Sequence, residues 1–155
     1  ATGIAVVAGR GLRVSRYAYG LVRTSPRLDL AERLNKIYTE LSTFLADETP
    51  SLMVMEDVFS LEKYPKSGIS LGRVSGVILL AGCRQKIPVI QIPVREAKHI
   101  LTGNGNAGKR QLEESVRRRL NHPAPIKPYH SSDALSLALI GLYRWGRKKE
   151  NLPGF

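Results

Sequence analysis

Three side chains in a chain of 155 residues, one far from the other two, could hold a metal ion or move a proton: Glu56, His130 and Asp133. Glu56 stands in "SLMVMEDVF" (51–59), after the apolar run Leu52, Met53, Val54 and Met55. Such a run marks a strand buried on both faces. Ligands of open α/β sheets bind beyond the carboxyl ends of strands. A carboxylate there is penalised by desolvation unless a cation or donors meet it. Asp57 points to the opposite face, so at most one of the two acids belongs to a given site. His130 and Asp133 lie three apart in "IKPYHSSDALSLALIGLYR" (126–144), on one face at the start of an apolar helix. Singly, each has a plain explanation. Glu56 could be a solvent-facing acid that begins a loop, Asp133 could suit the helix macrodipole in the first turn, and His130 could simply be exposed. Together, two carboxylates and an imidazole suit a divalent cation. The carboxylates favour Mg²⁺ or Mn²⁺, and the imidazole favours Mn²⁺. His130 could instead accept a proton near neutral pH.

The charge suggests what such a site would act on. Lys and Arg number 24 against 13 Asp and Glu, a net charge of +11. That balance favours polyanions through phosphate contacts and counterion release, so a phosphodiester is the natural substrate. Two bound cations can activate water and stabilise the leaving oxygen. "GNGNAGKR" (103–110) nearly matches a nucleotide phosphate loop but fails twice. Arg110 stands where Ser or Thr would hold Mg²⁺, and the stretch follows a short helix where a phosphate loop follows a strand. Lys109 and Arg110 read better as contacts to a nucleic-acid backbone after a flexible loop. Phe59, beside Lys63, Tyr64 and Lys66, is either a core residue or an exposed aromatic that stacks on bases. Cys83, the one cysteine, excludes a disulfide framework and a cysteine-rich zinc site; it reads as a small buried hydrophobe and fits a reducing compartment. No apolar run is long enough to span a bilayer and no signal peptide is visible, which makes the cytoplasm the expected location.

These groups need a scaffold. Residues 2–9 and 12–23 read as a hairpin closed by a Gly-Arg-Gly turn. A helix follows, with Ser25 as its cap and Pro26 at its first position; Leu30, Leu34, Ile37, Leu41 and Phe44 repeat at helical spacing. The strand ending at Glu56 comes next. A helix over 69–85 follows, kept thin by Gly72, Ser75, Gly76 and Gly82, then a buried strand over 87–93. Pro93 opens a short helix, a basic helix covers roughly 109–120, and a proline-rich link leads to the final helix. A strand–helix–strand crossover implies parallel pairing, so the class is α/β with a mixed sheet in one domain.

The chain resembles the RuvC-type Holliday-junction resolvases, whose fold is ribonuclease-H-like. Four blocks carry the resemblance, from Ala1 to about Gly146: "TGIAVV", "MEDVF", "VREAKHILTGNGNAGKRQLEESV" and "HSSDALSLALI". The resemblance implies a five-stranded mixed sheet flanked by helices. It makes Glu56, His130 and Asp133 catalytic residues binding Mg²⁺ or Mn²⁺, with His130 in a place where many members have Asp. Lys98 and Lys109 would lie near the scissile phosphate, and Phe59 would meet junction DNA. The helix at 69–85 would build a homodimer that nicks two opposed strands of a four-way junction. Family members work with the RuvA and RuvB branch-migration proteins.

One departure stands at the start. The family begins with a strand ending in "DPG", whose Asp is a further ligand; Ala1 falls just beyond it. That strand belongs between the hairpin and the strand of Glu56, and its absence would leave a gap of about 10 Å. The expectation is that roughly ten residues precede Ala1 in the native protein, about one strand and its turn, and that the tail over 147–155 is flexible. Two other readings compete: a junction-binding module that does not cleave, and a related nuclease acting on RNA.

Overall fold

The computed structural model describes residues 1–58 and 65–146, with the backbone only at 65–67. Phe59, the neighbouring Lys63 and Tyr64, and the tail from 147 lie outside the described residues. The order of elements is β1 (Thr2–Arg10), β2 (Arg13–Val22), α1 (Leu30–Glu48), β3 (Met53–Glu56), α2 (Pro65–Arg84), β4 (Val89–Ile92), α3 (Val94–Thr102), α4 (Lys109–Leu120) and α5 (Tyr129–Trp145). The α/β class and the element order match the reading of the sequence. No helix among the described residues is long and apolar enough to cross a membrane.

The strands form two pairs. β1 and β2 are antiparallel, and β3 and β4 are parallel in the register Glu56↔Ile92. The described residues supply four of the five expected strands, in two sheets that share no ladder. The edges of β1 and β3 instead line a groove of about 680 Å³. The hairpin turn is also displaced from expectation. It centres on Gly11 and Leu12, because Gly11 takes the left-handed φ of 60° that Arg10 would resist, and Arg10 pairs with Arg13.

Helices cover both faces of the strands. Successive strand residues point to opposite sides. Ala5, Val7 and Val54 therefore meet a core built from α3, α4 and α5, including Ala97, Leu112, Val116, Leu135, Leu139 and Ile140. Ile4 and Met53 meet the smaller core of α1 and α2, around Leu41, Leu45 and Ala81. By the same alternation Glu56 falls on the side of Val54, toward α5.

Two local expectations change. α1 begins at Leu30, not at Pro26, because Asp29 caps it better than Ser25. The Asp29 carboxylate accepts the Glu32 N–H at 2.8 Å, and the Glu32 side chain accepts the Asp29 N–H at 2.9 Å. That reciprocal pair satisfies two amides the first turn leaves unpaired. Ser25 closes a short turn instead, its hydroxyl accepting the Arg27 N–H. The loop after α3 is tied down rather than flexible. Thr102 and Asn104 exchange hydrogen bonds, Asn104 accepts the N–H groups of Asn106 and Ala107, and Ala107 is buried.

Replacing Asp29 by Ala is expected to lower stability by about 1 kcal/mol, read as a lower urea midpoint with an unchanged slope. An unmoved midpoint would show that packing alone fixes the start of α1.

Candidate functional site

The site forms where four chain segments, β3, α3, α4 and α5, come together. β3 runs out at Glu56, and the Asp57 N–H still donates to Ile92 O at 2.9 Å, which holds the strand end in register. α3 starts at once after β4 and carries Lys98, whose carbonyl accepts the Thr102 hydroxyl at 2.7 Å. The tied loop then delivers Lys109 as the first residue of α4, where the Gln111 side chain accepts the Gly108 N–H at 3.0 Å. A lysine at the positive end of a helix is electrostatically misplaced. Its Nζ lies 3.6 Å from Asp133 Oδ2, which supplies the opposite charge.

α5 brings His130 and Asp133 to the same end of the strands. No side chain caps its start; Pro128 O accepts the Ser131 N–H. Asp133 lies beyond the first turn and faces Lys109, so the macrodipole does not explain it. Small residues let this helix lie close to both strand pairs. A Cβ on Gly3 of β1 would stand 1.9 Å from the His130 carbonyl oxygen, far inside contact distance, and a Cβ on Gly141 would meet Val54 at 2.8 Å. Gly3 therefore sets the distance between β1 and the His130 turn. The sequence reading missed this role; the signal available was a glycine inside an otherwise regular strand, a mark of close backbone approach.

The electrostatics centre on Glu56. Burial raises its pKa above the ordinary carboxyl range, the Asp133 charge raises it further, and Lys109 and Lys98 pull it back down. Two carboxylates are thus held near each other, tempered by two ammonium groups. His130 is exposed and lines the same groove with Glu56, Lys109 and Asp133. The structure accordingly brings together Glu56, Asp133, Lys98 and Lys109, with His130 on the groove wall. No group of three His, Cys, Asp or Glu side chains is drawn tightly enough to form a metal cage among the described residues. The donors nevertheless suit a hard divalent cation: they are oxygens and an imidazole, and the Glu56–Asp133 repulsion is what such a cation would relieve. Arg110 turns outward and pairs with Glu114 at 2.8 Å on the exposed face of α4. Cys83 is exposed, against the expectation that it is buried, because it lies on the outer side of the last turn of α2.

A raised carboxyl pKa has a definite sign for stability. The folded chain binds the Glu56 proton more tightly than the unfolded chain does. Ionised Glu56 therefore destabilises the fold above its raised pKa, and the loss is recovered as pH falls through it. Glu56→Gln should raise the melting temperature at neutral pH in chelator, with the gain shrinking on acidification. A variant that melts lower than wild type at neutral pH would mean that the charge is well satisfied.

Comparison with known proteins follows the same lines. The family model for "Crossover junction endodeoxyribonuclease RuvC" matches residues 1–141. A relative of that name from Prosthecochloris aestuarii is 37% identical over 141 residues, covering 91% of this chain and 75% of its own length. Another, from Carboxydothermus hydrogenoformans, is 37% identical over 123 residues, covering 79% of this chain and 77% of its own. Among solved structures, Thermus thermophilus RuvC in complex with Holliday junction substrate superposes with a TM-score of 0.80 at 28% identity, over 91% of this chain and 86% of that one.

Proposed function

Because the chain belongs to the RuvC family of crossover junction endodeoxyribonucleases, we propose that the groove holding Glu56, His130 and Asp133 cuts phosphodiester bonds of four-way junction DNA. The observation that carries this is the confrontation of the Glu56 and Asp133 carboxylates beside Lys98 and Lys109 in a chain of net charge +11. Glu56 and Asp133 would hold Mg²⁺ or Mn²⁺, two ions per site in this reading, with His130 as a further ligand or as a proton acceptor. Bound there, the cations supply activation of water and charge for the leaving oxygen.

The chain's own residues do the rest. Lys98 and Lys109 place two positive charges beside the acids, which draws a phosphate to the groove and offsets its repulsion by Glu56 and Asp133. Burial of Glu56 keeps competing water from one side of it. Arg110, further out on α4, is proposed to touch the DNA backbone, and Phe59 to stack on or wedge between bases beside the cutting site.

Cutting two opposed strands needs two sites, and we propose a homodimer through α2. Its outer face supports that reading: Gly68, Gly72 and Gly76 meet nothing within 4 Å, and Ile69 and Leu80 are exposed beside them. Action with the RuvA and RuvB branch-migration proteins is part of the same proposal. The groove between β1 and β3 likewise supports a single ribonuclease-H-like domain with a fifth strand seated there. Such a strand would pair both open edges and bring its end to Glu56.

The test is cleavage of end-labelled four-way junctions by the full-length protein in Mn²⁺, with paired symmetric nicks as the expected product. Asp133→Asn should abolish nicking and leave junction affinity within about threefold of wild type. Junctions bound but never nicked by wild type would make this a binding module, and preferential cutting of an RNA–DNA duplex would move it to another substrate. Lys109→Ala should lower affinity and reduce the slope of log affinity against log salt by about 1; an unchanged slope and rate would remove that lysine from the DNA contact.

A further inference from the structure

Glu113 is buried, with 3% of its surface exposed, in a helix face otherwise filled by Leu112, Val116 and Leu120. A carboxylate is an expensive choice for such a place, since a similar apolar side chain would fill it without losing hydration. Its oxygen Oε1 accepts the backbone N–H of Ile126 at 2.8 Å. The same oxygen lies 3.0 Å from Arg117 Nε, which offsets its charge although the two are not aligned as a hydrogen bond. Ile126 is itself fully buried and belongs to the irregular link between α4 and α5. Without Glu113 its amide would be buried with no acceptor.

The position of this bond matters more than its strength. Glu113 is four residues after Lys109, so the two share one face of α4. Ile126 is four residues before His130 and seven before Asp133. α4 therefore grips the approach to α5 twice: through Lys109 to Asp133, and one turn later through Glu113 to the link. The other side of α4 is gripped as well, where the Ser115 hydroxyl donates to Leu101 O at 2.5 Å and Arg119 donates to that hydroxyl. That contact fixes α4 on α3, which carries Lys98.

We propose that Glu113 is a positioning residue of the cutting site: by accepting the Ile126 amide it sets the spacing of Lys109 from Asp133 and His130. This rests on the nuclease reading above. Glu113→Gln keeps an acceptor for Ile126 and loses only the charge. Glu113→Met fills the space and offers no acceptor. In the full-length protein, single-turnover cleavage at saturating junction and Mn²⁺ should fall tenfold or more in the Met variant and stay within threefold of wild type in the Gln variant. Junction affinity should be unchanged in both. Misplacement of a reacting group by about 1 Å is enough for such a loss.

A Met variant that cuts within twofold of wild type would overturn the proposal, as would equal losses of rate in the Gln and Met variants, or rate and affinity falling together. If the Met variant does not fold, Glu113→Asp is compared with Glu113→Gln instead, since it keeps the charge but withdraws the oxygen by one methylene. Amide hydrogen exchange over 126–133 gives a readout independent of cutting. Faster exchange in the variants that lose the acceptor, and not in the Gln variant, supports the proposal; equal exchange overturns it. A wild type that exchanges as expected but does not cut would refute the nuclease reading and leave the positioning of the helix standing.

Discussion

How closely α5 can lie on the strands determines everything at the site. β1–β2 and β3–β4 share no hydrogen bonds, so their relative placement depends on helices that touch both. α5 does this with Gly141 against Val54 and the His130 turn against Gly3. Its serines avoid a penalty by bonding within the helix, as the Ser132 and Ser136 hydroxyls donate to the carbonyls of Tyr129 and Asp133. A bulkier helix would stand further off, and its acid would no longer sense the end of β3. The packing of small residues and the electrostatics of the acids are thus a single fact seen at two ranges.

The site is locally unfavourable by design of its parts. Glu56 is held where burial and Asp133 both oppose its charge, and Lys109 opens a helix at the end that repels cations. Among the described residues each is relieved by the others, so the four charged groups form a mutually dependent set. Local conflicts of this kind concentrate at functional sites, where stability is given up for chemistry. The core around Leu135, Leu139 and Ile140 supplies the rigidity that keeps the groups from moving apart.

Much of this was legible in the sequence. The apolar run before Glu56, the periodicity of α1 and the crossover from β3 to β4 follow from patterning alone, and those elements stand within a few residues of expectation. Their ends were less legible. Ser25-Pro26 is a sound helix start by local rules, yet Asp29 with Glu32 is a better one, and only the competition between them decides. The loop at 103–108 reads as flexible from its glycines and asparagines, while its order comes from hydrogen bonds among those same polar groups. Strand parity separates Glu56 from Asp57 and helix spacing joins His130 to Asp133, but the meeting of Glu56 with Asp133 at one site was implied only by the family resemblance. The Lys109–Asp133 pair, and the acceptor role of Glu113, depend on the crossing of α4 and α5, which no local pattern encodes.

Residue 3 shows how such a fold constrains its own descent. The His130 carbonyl oxygen occupies the place where any side chain there would begin. Gly3 carries no reacting group, yet any side chain placed there shifts the start of the final helix and with it His130 and Asp133. Drift at this position is closed, whereas an exposed arginine of α4 such as Arg118 can be exchanged with little structural effect. Lineages that keep the chemistry are therefore bound to inherit this small residue along with the acids themselves.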